Sequence, residues 1–191
     1  TYDLGDKCLT PISGNNISII GESMDNTIIV NKPEVEGIGV TATLFNTSTG
    51  LYMQDLTLKN AYPFDKSTGR AVCLQDKGTQ TICKNVKMLS YQDTYYSNNN
   101  KGQYYFENSD IHGIVDFICG GGDVFFNKCT LTLEPGKGSY ITAPYTDGSD
   151  YGYVFDGCKI VRSATESFTS SRTWAGRAKR AFLNTNLDKI A

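Results

Sequence analysis

The chain has 191 residues, of which 20% are charged, and a formal net charge of −2. That length suits one domain with its own core, and that charge gives no basic footprint for nucleic acid. No apolar run approaches the ~20 residues that a bilayer-spanning helix needs, so neither nucleic acid nor a membrane is an expected partner.

Twelve Tyr and nine Phe, among frequent Asn, Thr, Ser and Gly, point to β structure with polar turns and a carbohydrate-facing surface. The six cysteines, at 8, 73, 83, 119, 129 and 158, form no C-x-x-C pair, and His112 is the single histidine. A zinc site is not expected, nor any other metal or cofactor. Several cysteines lie in strand-like apolar runs and are expected as buried small hydrophobes rather than disulfides.

In chain order, Asn15–Glu22 reads as a short strand running into a turn, and Thr27–Val30 as a second strand closed by Pro33. Leu51–Leu58 then shows β alternation. The same shape recurs over Thr81–Met88, Tyr104–Ile111, Val124–Leu131, Tyr153–Ile160 and Arg180–Leu187. Each unit has an apolar start, a polar centre and an apolar end. The ends step by 30, 23, 20, 29 and 27 residues, with no long amphipathic helix between them. Strands at such uneven steps predict a solenoid, an all-β single-stranded parallel β-helix whose extra residues bulge out as loops. Cys129 and Cys158 share a repeat position, which places them in one internal stack with Ser109 and Thr185. Residues 1–191 are expected to form a single domain without complete end caps. Both ends read as cut, which implies a piece of a longer chain or caps supplied from elsewhere; a monomer or one part of a larger multidomain chain is expected.

Asp93 and Asp116, 23 positions apart among apolar and aromatic residues, fall on adjacent coils of such a helix. Two carboxylates stacked in that way can hold opposite protonation states, which suits acid–base or nucleophilic hydrolysis.

The segments around them resemble the pectinesterase family, whose fold is a right-handed parallel β-helix. Tyr91-Gln92-Asp93-Thr94 resembles its G-Y-Q-D-T-L motif, and Val115-Asp116-Phe117-Ile118-Cys119-Gly120 its V-D-F-I-F-G motif. Ser171-Arg172-Thr173-Trp174 resembles a degraded G-R-P-W, and Arg70-Ala71-Val72-Cys73-Leu74 stands where the family has Q-A-V-A-L. The first two strands also resemble its early coils.

The resemblance implies hydrolysis of methyl esters on galacturonate units of pectin, which is methylated homogalacturonan. Asp116 would be the nucleophile, kept ionised and aimed by Arg172. Asp93 would carry the proton as acid and base. Gln92 would donate to the developing oxyanion, and Arg70, in place of the family's first Gln, would assist it. Phe117, Trp174, Tyr95, Tyr96 and Tyr145 would wall the sugar site. Arg177 is the fallback for Arg172 and, with Arg162, Lys179 and Arg180, could attract the acidic polymer. A polymeric substrate implies a secreted or periplasmic protein. Two other readings stand beside this one: a β-helical polygalacturonase, which would make new reducing ends, and a non-catalytic β-helix that binds pectin or supports a larger protein. His112 is expected to be structural.

Overall fold

The computed structural model describes residues 1–63, 69–136, 138–162 and 168–187. Among them the regular elements are strands, with no helix, and every paired strand is parallel to its neighbour. One sheet stacks Thr10–Ile12, Leu44–Asn46, Leu74–Asp76, Tyr95–Ser97, Val115–Gly120, Tyr140–Pro144 and Thr169–Ser171 in chain order. The other has twelve strands, and its main path runs from Tyr2–Asp3 through Thr49–Asn60, Gln103–Glu107 and Tyr153–Asp156 to Arg180–Leu183. Each full coil adds one strand to the first sheet and up to two to the second, one on each side of a corner, which is the expected parallel β-helix.

The polar centre of each repeat is a corner. Asp55, Asn85, Asn108, Lys128 and Asn184 all have φ between 47° and 55°, and Gly157 has φ 60°. Asn, Asp and Gly tolerate this left-handed conformation better than other residues. The eight-residue repeat is therefore not one straight strand. In the third unit, for example, Gln103–Glu107 ends before the corner at Asn108 and Asp110–Gly113 begins after it.

Inside, alternate residues form columns along the helix axis. Met53, Cys83, Phe106, Phe126, Phe155 and Phe182 are in register. Their rings stack at 5.0 Å for Phe106–Phe126, 4.5 Å for Phe126–Phe155 and 4.6 Å for Phe155–Phe182. Those distances match the ~4.8 Å between neighbouring strands, so the coil rise itself sets the ring stacking. Phe126→Ala leaves a ring-sized void in this column, and the expected loss is about 3–5 kcal/mol in urea unfolding.

Cys129 and Cys158 occupy the predicted internal stack. The Cys158 N–H donates to Thr185 Oγ1 at 3.1 Å, and Ser109 Oγ accepts the Val86 N–H at 3.1 Å. All six cysteines are free thiols, and all but Cys8 are buried.

Candidate active site

The site grows from one place in the seven-stranded sheet, just before its strands begin. Arg70, Gln92 and Val115 are bridged in parallel, one per coil. The next residues, Asp93 and Asp116, therefore stack on adjacent coils. Both take the left-handed conformation, with φ 58° and 49°, which costs energy at ordinary residues and is least costly at Asp, Asn and Gly. Each coil turns sharply there and brings its carboxylate to the same cavity, of about 330 Å³. Both aspartates are largely covered, at 5% and 7% exposure, yet both border that cavity.

Arg172 comes from two coils further on. Ser171 pairs with Thr142, and the Arg172 N–H donates to the Thr142 carbonyl at 3.0 Å. This strand pairing delivers the guanidinium without the Gly and Pro of the family motif. Its Nε lies 2.9 Å and 3.1 Å from the two Asp116 carboxylate oxygens, and Nη2 donates to Oδ2 as well. Tyr140 lies under the guanidinium, 4.7 Å from ring centre to Cζ, and fixes its plane by cation–π attraction.

The two acids are electrostatically unequal. Burial and the nearby charge of Asp116 push the Asp93 carboxyl up to about 7, against the pull of Arg70, a Cys119 thiol hydrogen bond and Arg172. Asp93 is thus protonated in part near neutrality, while Asp116 has a bidentate cation on it.

Of the residues expected as sugar walls, Trp174 borders the cavity and is 47% exposed. Its ring lies 5.8 Å from that of Tyr96, so these two form one aromatic side. Tyr145 is exposed beyond the end of the neighbouring strand, and its N–H donates to the Gly120 carbonyl at 2.6 Å. The roles expected of Phe117, Tyr95 and Arg70 are corrected. Phe117 and Tyr95 are fully buried, and Tyr95 packs edge-on against Phe106 at 4.7 Å. Neither can present a face to a sugar. Arg177 is not the partner of Asp116: its N–H donates to Asp147 Oδ1 at 2.8 Å, and the carboxylate is held by Arg172. Arg70 borders the cavity, but its Nε and Nη2 are committed to Glu36, so those donors do not serve an oxyanion. Glu36, Ile38, Cys119 and Tyr140 are site residues that the sequence reading passed over. Only Cys119, inside the second motif, had a local signal.

Gly120–Gly122 passes close to residues 97–100. A side chain on Gly121 would collide with Asn100 and with the Tyr145 carbonyl, and one on Gly120 with the Ser97 carbonyl. A larger groove, of about 830 Å³, lies over Tyr52, Ile82, Tyr105 and Phe125 on the twelve-stranded sheet. Its acidic residue, Asp123, accepts the N–H groups of Tyr151 and Gly152, so it offers no paired carboxylates.

His112 links coils, as expected of a structural residue. Its Nδ1 lies 2.6 Å from Glu134 Oε1 and its Nε2 2.9 Å from Asp110 Oδ2. Burial alone would lower its pKa, but hydrogen bonds and charge from Asp110 and Glu134 raise it. A raised folded pKa adds stability that is complete below the unfolded value near 6.5 and lost as pH rises through the folded value. His112→Gln should therefore cost more at pH 5 than at alkaline pH, by about 1 kcal/mol after allowing for solvent screening, measured by urea unfolding at both.

Comparison with known proteins bears on this geometry. A pectinesterase of Ralstonia solanacearum is 32% identical over 149 residues, 72% of this chain and 37% of that protein. A probable pectinesterase A of Aspergillus niger is 27% identical over 197 residues, 95% of this chain and 58% of that protein. The chain spans 49% and 33% of the length of two Arabidopsis thaliana relatives. Among solved structures, pectin methylesterase PemA from Erwinia chrysanthemi superposes with a TM-score of 0.80 at 25% identity, over 96% of this chain and 68% of that one. This likeness identifies the fold as the right-handed parallel β-helix of those enzymes. The family model Pectinesterase matches residues 7–188, and the chain belongs to the pectinesterase family.

Proposed function

We propose that this domain hydrolyses the methyl esters of galacturonate units in pectin, giving methanol and a free carboxylate. The observation that carries the reading is the pair of stacked aspartates, one clamped by Arg172 and the other with its carboxyl pushed up to about 7. In the first step, an Asp116 oxygen attacks the ester carbonyl carbon and the bond to the methoxy oxygen breaks. The Asp93 proton goes to the departing oxygen, which leaves as methanol. Gln92 borders the cavity, where its side-chain amide would donate to the oxyanion. In the second step, water attacks the anhydride, its proton returns to Asp93, and Asp116 is freed as the carboxylate. Trp174 and Tyr96 stack on the sugar, and Arg177 and Tyr145 lie on the path of the polymer.

A solved pectin methylesterase in complex with a hexasaccharide has the same fold, which supports a polymer lying across several coils. A substrate of that size supports a secreted or periplasmic site of action. The polygalacturonase reading cleaves the chain instead, between sugars. Highly methylated pectin distinguishes them: methanol without new reducing ends supports the esterase, and reducing ends without methanol reject it.

A further inference from the structure

Glu36 and Arg70 meet at the mouth of the catalytic cavity. Arg70 Nη2 donates to Glu36 Oε2 at 3.0 Å, and Nε donates to Oε1, so the pair is bidentate. About half of the Arg70 side chain and a fifth of Glu36 remain in solvent. The segment carrying Glu36 is tied down immediately after that residue. Its Gly37 N–H donates to the Arg70 carbonyl at 3.2 Å, and Thr41 Oγ1 donates to the Gly37 carbonyl at 2.7 Å. Ile38, from the same segment, forms part of the cavity wall beside Arg70.

We propose that Arg70 is the docking point for a free uronate carboxylate of the polymer, and that Glu36 occupies that point while the protein is unliganded. The inference rests on the esterase reading and deepens it by naming the state of a second sugar unit. A galacturonate that has lost its methyl group presents the same planar, two-oxygen acceptor as Glu36, and a guanidinium fork fits such an acceptor bidentately. An exposed ion pair contributes little net stability, so exchanging one carboxylate for another is close to neutral. A methyl ester has no charge and does not displace Glu36. The protein therefore favours a stretch in which a free acid unit sits at Arg70 and a methyl ester lies over Asp116.

The exchange also protects the chemistry. Arg70 pulls the Asp93 carboxyl toward ionisation, and a carboxylate on Arg70 offsets that pull. Replacing Glu36 by the substrate's carboxylate keeps the offset in place, so Asp93 retains its proton when the polymer docks.

Calorimetric titration with fully de-esterified trigalacturonate tests this, because that ligand carries free carboxylates and is not a substrate. Glu36→Gln should bind it about fivefold more tightly than wild type, since the internal competitor is gone. Arg70→Gln should bind it about tenfold more weakly, and the double variant should match Arg70→Gln. Glu36→Gln binding equal to or weaker than wild type, or Arg70→Gln binding at wild-type affinity, overturns the proposal. Methanol release from highly methylated pectin, measured in parallel, reports on the esterase reading alone. Release without the binding pattern rejects the carboxylate site, and the binding pattern without release keeps that site and rejects the esterase.

Discussion

Asp116→Asn is expected to lower methanol release by at least about ten-thousand-fold and to leave the fold intact. The loss is that large because the amide cannot form the acyl intermediate, and removing one member of a catalytic unit costs on the order of 10⁴- to 10⁶-fold even when the rest of the site persists. The fold survives for a local reason. Asp116 has φ 49°, and Asn is among the residues that tolerate the left-handed region. The half-exposed Arg172 that loses its partner can be hydrated. Unchanged circular dichroism and an unfolding midpoint near wild type check the second half of the expectation. A rate near wild type refutes Asp116 as nucleophile.

Asp93→Asn has two effects of opposite sign. Turnover is expected to fall by about 10²- to 10⁴-fold, the usual range for loss of a positioned acid–base group. Stability near neutrality rises. The Asp93 carboxyl is raised from 3.8 to about 7, first by burial and then by Asp116, so the folded state holds this proton more tightly than the unfolded chain. The stability contributed by the proton is complete below pH 3.8 and is lost as pH rises through 7. Asn has no proton to lose. The variant should match wild type near pH 4 and exceed it by up to about 4 kcal/mol above pH 7. Asp76, buried and pushed up to about 6, tilts stability the same way, but it is present in both proteins and drops out of the difference. Urea unfolding from pH 4 to 8 gives the comparison. A constant difference across that range contradicts the burial of an ionisable acid.

The β-helix was legible because its core is one-dimensional. Each coil must place an apolar residue above its predecessor's, so Cys83, Phe106, Phe126, Phe155 and Phe182 repeat even where loops make the steps uneven. The two aspartates and Arg172 were legible as motif residues. The aromatics expected to face a sugar were only partly so, and the reason is the backbone at the aspartates. Strand alternation assigns a face to each residue only while the chain stays extended. At Asp93 and Asp116 it does not, and the register of Val115–Gly120 shifts between Val115 and Ile118. The residues just beyond the kink turn inward, which buries Tyr95 and Phe117. Tyr96 and Cys119 face the site instead. Glu36 was beyond reach for a different reason. It is an acidic residue in an irregular segment, brought to Arg70 by packing between coils that no local pattern records.

Carbon-13 NMR of the aspartate carboxyls addresses the coupling of the two acids most directly. The Asp93 resonance should titrate with a midpoint near 7 and shift to a lower midpoint in Asp116→Asn, where a like charge has been removed and Arg172 is left unneutralised. A midpoint near 4 in wild type, unmoved by that substitution, would mean that the two carboxylates do not share a site.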